Sequence, residues 1–140
     1  MSKIAGRISQ LIEKKEEILL SVVDDEAIEI LQDRLEDGKR ADGNSFAPYS
    51  DVTIDIKRST GGFISSSGNI ALKDTGGFYR SMELRKEKKF VEVTSNDSIA
   101  NDLFDAFGDD ILDLSVDENN EVFERKREEY IKEIDKFIFQ

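Results

Sequence analysis

Apolar side chains recur at every third or fourth position near both ends of the chain, and this spacing limits the possible fold more than any other feature. Such spacing places apolar residues on one side of an α-helix. It predicts helical structure over residues 2–36 and again over residues 97–138. At residues 22–25 two β-branched residues meet two poor helix formers. One long N-terminal helix and two helices meeting at this point both fit the pattern.

The C-terminal helical range carries its own start signal. Ser115 is followed three residues later by Glu118, which is the spacing of a capping box. A shorter helix that ends at Gly108 is predicted just before it. We therefore expect separate C-terminal helices, the last of which begins near Ser115.

Gly, Ser and the only proline, Pro48, concentrate in the middle of the chain. Residues 37–69 are therefore predicted to form a loop-rich interaction segment. Within it, residues 51–58 alternate in polarity, which favours a strand, whereas Ser50 could instead begin a short helix there. Residues 70–96 are predicted to be strand-rich, because their last part is β-branched and aromatic.

Together these segments predict a single α+β domain over residues 1–140. Its parts are a long N-terminal helix, a small, mainly antiparallel sheet of three to four strands, and C-terminal helices. A length of 140 residues suits one domain. A hydrophobic content of 38% is sufficient for a packed core.

The sequence excludes several kinds of catalytic chemistry, since it contains neither Cys nor His. Thiol nucleophiles, imidazole bases and metal sites built from thiolate or imidazole ligands are therefore ruled out. Phosphate-binding glycine motifs are absent as well, and the acidic runs lack the spacing of a calcium loop. We expect no enzymatic activity, no metal and no cofactor. A hydrolase built on Asp and Glu is the least favoured alternative.

The net charge of −11 argues against general binding to nucleic acid, which needs clustered cations. No apolar run approaches the length of about 20 residues that a membrane-spanning helix needs. The first residues also lack the apolar core of a signal peptide. These features predict a protein made in a cytosol, without a membrane partner.

Charge is distributed in two blocks of opposite sign. Residues 97–122 hold many carboxylates and no Lys or Arg, whereas residues 73–89 are rich in cations. The blocks could neutralise each other within one chain, or one subunit's basic block could meet the next subunit's acidic block and close a ring. Both interpretations remain open. The candidate interface residues are Arg80, Arg85, Lys86, Lys88 and Lys89 on the basic side, and Asp105, Asp109 and Asp110 on the acidic side.

Apolar residues inside the predicted loops are further interface candidates. Phe46, Pro48 and Tyr49 lie in the first loop, and Phe63 and Ile64 lie in the Gly- and Ser-rich loop that follows. Such side chains could anchor on a neighbouring subunit or pack into the chain's own core, as aromatic residues commonly do.

Three motifs resemble those of a known family. The string at residues 38–49, with Phe46, Pro48 and Tyr49, resembles a signature of the tailed-phage virion morphogenesis proteins, also called tail-completion or neck proteins. Residues 72–81 look like the second element of that family, which contains Thr-Gly and a Ser. Residues 100–118, a helix ending in Phe-Gly followed by an apolar run, look like the third.

The resemblance implies a structural subunit rather than an enzyme. It would form a ring at the phage neck or at the head-proximal end of the tail, around the DNA channel, and join head to tail. Its partners would be copies of itself and neighbouring neck, portal-side or tail proteins, with DNA passing non-specifically. It would belong to the virion and assemble in the host bacterial cytoplasm. The alternative is a small acidic interaction or assembly-chaperone protein without catalytic activity.

Overall fold

A computed structural model describes residues 14–87 and 90–139 of the chain. The elements in chain order are α1 (residues 14–22 of the described part), α2 (Glu26–Glu36), α3 (Asp51–Thr60), α4 (Gly77–Arg80), β1 (Met82–Lys86), β2 (Val91–Ser95), α5 (Ala100–Phe107) and α6 (Val116–Phe139). The class is α+β, as predicted, but the predicted proportions of helix and sheet are wrong.

The sheet is smaller than predicted. β1 and β2 form one antiparallel hairpin, in register from Met82 opposite Ser95 to Lys86 opposite Val91, and they are the only two strands of a sheet in the described residues. The prediction of three to four strands is therefore wrong. Elsewhere the loops make only isolated bridges, Lys39 with Ser45 and Pro48 with Asn69.

The segment that alternates in polarity forms helix α3, the competing prediction. The Ser50 hydroxyl accepts the backbone N–H of Thr53 at 3.1 Å, which caps the helix at its start. Gly61 ends it with a left-handed φ of 72°. Because Val52 and Ile56 lie on the solvent side, the alternation does not reflect a buried face.

The predicted long N-terminal helix is also wrong. α1 ends at residue 22 and α2 begins at Glu26, because the Asp24 carboxylate accepts the backbone N–H of Glu26 at 3.0 Å and breaks the helical path. Residues 2–13 of that prediction lie outside the described residues. The longest helix that the structure describes is α6, at 24 residues.

The core surrounds α2. Leu31 and Leu35 of this helix are fully buried. Around them pack residues from the loops, α4, the hairpin, α5 and the segment before α6, namely Phe46, Leu72, Phe78, Tyr79, Met82, Val93, Ala100, Ile111 and Leu112. A smaller cluster of Ala27, Ile30 and Val122 joins α2 to α6. This arrangement makes α2 the central element of the fold.

Arg34 connects α2 to the start of α6. Its guanidinium donates to the carbonyl oxygens of Asp113 at 2.8 Å and Ile111 at 3.2 Å, and it forms an ion pair with Glu118. The predicted capping box is confirmed, since Glu118 N–H donates to the Ser115 hydroxyl and Ser115 N–H donates to the Glu118 carboxylate. The Glu118 carboxylate therefore caps α6 and binds Arg34 at the same time.

A buried lysine fixes the turn between α1 and α2 to the middle of α6. The Lys126 side chain is 5% exposed, and its Nζ lies 2.5 Å from Asp24 and 3.1 Å from Glu26. The hydrogen bond to Asp24 outweighs burial and raises the pKa of Lys126. Burial acts to raise the pKa of Asp24, but hydrogen bonds from Lys126 and from the Glu26 N–H lower it.

Replacing Lys126 with Met is expected to lower the free energy of unfolding at pH 7 by about 2 kcal/mol, because both carboxylates lose a charged hydrogen-bond donor. Folding lowers the pKa of Asp24, so the Asp24–Lys126 ion pair stabilises the folded state at pH values above the ordinary carboxyl pKa. This stabilisation is lost as the pH falls through the lowered pKa and Asp24 becomes protonated. In urea unfolding, the difference in unfolding free energy between wild type and Lys126→Met should be smaller at pH 3 than at pH 7.

The exposed Lys132 of the same helix supplies the control, and Lys132→Met should leave stability within about 0.5 kcal/mol of wild type. An equal loss for both variants, or a loss for Lys126→Met that is unchanged at pH 3, would contradict this account.

Candidate functional site

The loop at residues 37–50 is a tight reversal of the chain. Gly38 has a φ of 73°, and a β-carbon added to it would lie 2.8 Å from the Cβ of Asn69. Phe46 N–H donates to the Gly38 carbonyl oxygen at 2.8 Å, and Arg40 N–H donates to that of Asn44 at 2.7 Å. The reversal carries Phe46 back toward α2.

Phe46 lies in the core and is 3% exposed. Its ring meets the ring of Phe107, at the end of α5, edge to face with 5.7 Å between centroids. The Arg40 guanidinium lies 4.6 Å from the Phe46 centroid and donates to the Phe107 carbonyl oxygen at 2.6 Å. The loop and α5 are therefore joined by the Phe46–Phe107 ring contact and by Arg40, which binds both of these residues.

Two tyrosine hydroxyls hold the peptide groups of Ala71. The Ala71 N–H donates to the Tyr49 hydroxyl at 3.1 Å, and the Tyr79 hydroxyl donates to the Ala71 carbonyl oxygen at 2.6 Å. Burial, with the Glu36 carboxylate second, raises the pKa of Tyr79 well above its usual value. This Ala71 clamp joins the first loop to α4, and Tyr49 is consequently buried.

The remaining apolar candidates differ in exposure. Pro48 is exposed beside its bridge to Asn69. Phe63 and Ile64 are half-buried, and the Lys73 ammonium lies 4.8 Å from the Phe63 centroid. Ser65 is buried and donates to the Asn69 carbonyl oxygen at 2.6 Å. Of the five candidates, Pro48 is the only one that presents an exposed side chain.

The described basic candidates make contacts within their own chain. Arg85 forms ion pairs with Glu92 and Glu87 of its own hairpin. Lys86 donates to the Ser21 carbonyl oxygen at 3.2 Å, and the exposed Arg80 donates to that of Thr75 at 3.2 Å. Lys88 and Lys89 lie outside the described residues.

The acidic candidates lie on an exposed surface formed by α5, the segment after it and the start of α6. We call it the acidic face, and its exposed carboxylates are Asp102, Asp105, Asp109, Asp110, Asp113 and Asp117. Desolvation, with the Asp110 carboxylate second, raises the pKa of Asp113. Among the described residues, none of these six carboxylates has an ion-pair partner.

The two charge blocks therefore do not neutralise each other within the described part of the chain. Two cations of the basic block instead bind carboxylates of α2 and of the hairpin, since Lys73 pairs with Glu36 and Arg85 pairs with Glu92. Sequence reasoning could not separate these cases, because the composition of a block does not say which charges meet. It also missed Arg34 and Lys126, whose burial carries no local sequence signal.

In the described ranges, no group of three or more acidic side chains has the arrangement of a metal site. No helix described there has both the length and the apolar character needed to cross a bilayer.

Two glycines of the first loop allow the steric role of Gly38 to be measured. Gly43 also has a positive φ, of 87°, but a β-carbon there would meet nothing within 4 Å. Gly43→Ala should therefore lower the free energy of unfolding by about 1 kcal/mol, from backbone conformation alone. Gly38→Ala should cost at least about 2 kcal/mol, since the clash with Asn69 is added. Equal losses in urea unfolding would contradict the close contact.

Comparison with protein-family models, with curated proteins and with solved structures gives no match for this chain. The resemblance of residues 38–49, 72–81 and 100–118 to phage neck proteins stays a prediction. Any function proposed for the chain is therefore argued from that resemblance and from the arrangement of its own residues.

Proposed function

We propose that this chain is a non-enzymatic structural subunit that assembles with copies of itself into a ring, at the neck or the head-proximal tail end of a tailed-phage virion. Subunits would be made in the host bacterial cytoplasm and joined to neighbouring neck, portal-side or tail proteins. The three motifs of the resemblance support this, because Phe46 contacts Phe107 and Tyr49 shares the Ala71 clamp with Tyr79. The three motifs, which are distant in sequence, thus contact one another in the folded chain.

The observation that carries the assembly role is the acidic face. Its six exposed carboxylates have no cationic partner in the described part of the chain, although the net charge of −11 makes internal pairing valuable. A protein that leaves one sign of charge unmatched on one surface favours a partner of the opposite sign. On a second copy, the counterpart in this proposal is the basic segment at residues 73–89, which holds six Lys and Arg in the sequence.

Contact between two different faces is heterologous, and such contacts close into rings when the rotation between subunits allows it. Surface ion pairs alone contribute little, about 0–1 kcal/mol each. Apolar burial must therefore add to them. An exposed apolar residue stands near each charged segment, since Ile99 is 46% exposed just before α5 and Phe90 is 46% exposed beside Arg85.

A cleft favours the second candidate, a small acidic interaction or assembly-chaperone protein. It has a volume of about 720 Å³, lies between α3 and α5, and is lined by Pro48, Ile56, Ile70, Ile99, Leu103 and Phe107 among others. An apolar cleft of this kind suits the helix of a partner. A chain that stays monomeric at high concentration and binds one partner protein would support this candidate over the ring.

Reversing charge on the acidic face is expected to prevent ring assembly. The double variant Asp105→Lys, Asp109→Lys should weaken self-association at least about tenfold, because it places like charges opposite the neighbour's basic segment. Size exclusion with light scattering and negative-stain electron microscopy would report the change, with closed rings expected for the wild type.

Asp55→Lys on α3 is the control, since Asp55 is exposed and lies outside the acidic face. Rings that persist in the double variant, or that are lost equally in the control, would overturn the assignment of this face.

A ring that lets DNA pass through its channel should not bind the DNA, and this leads to a separate prediction. Acidic residues that face a channel would repel DNA and let it slide. The isolated protein should therefore show no measurable binding to duplex DNA at physiological salt, in a fluorescence anisotropy titration up to about 10 μM, where non-specific binders begin to associate. Tight, salt-sensitive binding would contradict a channel role.

A further inference from the structure

The second half of α6 is an arm that contributes little to the core. The buried residues of this helix are Val122 and Lys126, both in its first half. Between residues 127 and 139, which the structure describes in full, no side chain is buried. This arm nevertheless carries several apolar residues, so its outer surface calls for an explanation.

Five residues spaced by four form an exposed ridge along α6. Phe123 is 38% exposed, Ile131 is 47% exposed and Phe139 is 71% exposed, while Arg127 and Asp135 stand between them and are also exposed. Residues four apart on a helix differ in direction by about 40°. The three central members of this row therefore face nearly the same side, whereas the two phenylalanines are turned about 80° from Ile131 in opposite directions. We call these five residues the α6 ridge.

The order of residues along the α6 ridge reads Phe, Arg, Ile, Asp, Phe. A two-fold axis beside Ile131 therefore sets Ile131 against its own copy. The same axis sets Arg127 of each chain against Asp135 of the other. The middle of the α6 ridge is thus complementary to itself in charge.

The two charged members of the ridge have little to bind within their own chain. Arg127 has one acidic neighbour, Glu124, at 3.9 Å, the outer limit of an ion pair. Asp135 has no cation within that limit among the described residues. Arg127 and Asp135 themselves are about 12 Å apart along the helix, too far to pair in one chain.

We propose that two copies of this chain associate through an antiparallel, two-fold symmetric contact between their α6 ridges, centred on Ile131. Packed helices lie with their axes about 8–10 Å apart. In that geometry the Ile131 side chains form the apolar centre. The two Arg127–Asp135 pairs flank it and fix the orientation, because a parallel arrangement sets like charges together.

This contact is separate from the ring. A two-fold interface uses the same patch on both subunits, whereas a ring uses two different patches. The α6 ridge also lies on a different part of the chain from Asp105 and Asp109. Pairing of free subunits through α6 therefore neither requires nor excludes a ring, and the two can fail independently.

A charge swap tests the pairing directly, by sedimentation equilibrium over a range of concentrations. Arg127→Asp alone and Asp135→Arg alone should each weaken dimerisation at least about tenfold, since each sets like charges across the axis twice. The double variant Arg127→Asp, Asp135→Arg should restore wild-type dimerisation. Because the two sites do not touch within one chain, such restoration can arise only between chains.

Ile131→Asp should abolish the dimer, and Val52→Asp on α3, at an exposed apolar position outside the ridge, should not. Circular dichroism would verify that each variant is folded. A wild type that is monomeric throughout, single charge variants that dimerise normally, or a swap that restores nothing would each overturn the proposal. A wild-type protein that dimerises through α6 but forms no rings would overturn the proposed ring and leave the proposed dimer standing.

Discussion

The guanidinium group of Arg34 is the contact on which the arrangement of the two ends of the chain depends. It binds two carbonyl oxygens of the segment before α6 and the carboxylate that caps that helix. A two-stranded hairpin is too small to provide a core alone. The helices must therefore be held against one another. The Arg34–Glu118 and Lys126–Glu26 ion pairs fix α6 to α2 at two points that lie eight residues apart on each helix.

Local signals in the sequence predicted the local features and failed where distant contacts decide. The apolar spacing gave helices at both ends, and Ser115 with Glu118 gave the start of α6. The strand predicted at residues 51–58 was wrong because the Ser50 cap stabilises a helix whose apolar residues Val52 and Ile56 face solvent. Alternation indicates a strand only where one face is buried, and burial is not a local property.

The candidate site shows the same division. The loop that holds Pro48 was evident from the sequence, whereas the burial of Phe46 and Tyr49 depends on Phe107 and Ala71, which lie far along the chain. The two charge blocks were also evident. Only the folded geometry shows that Arg85 binds its own hairpin, and that the carboxylates of the acidic face have no ion-pair partner among the described residues.

In the exposed half of α6, the free energy of local opening differs from the free energy of global unfolding. Residues 127–139 contain half-buried but no fully buried side chains, so their helical order contributes less to the cooperative unfolding of the body than the first half of α6 does. Amide hydrogens there would exchange through local fraying rather than through global unfolding. A partner bound at this arm would therefore change the local protection of α6 and leave the melting of the core almost unchanged. Evolution could accordingly alter the binding surface at small cost to the stability of the fold.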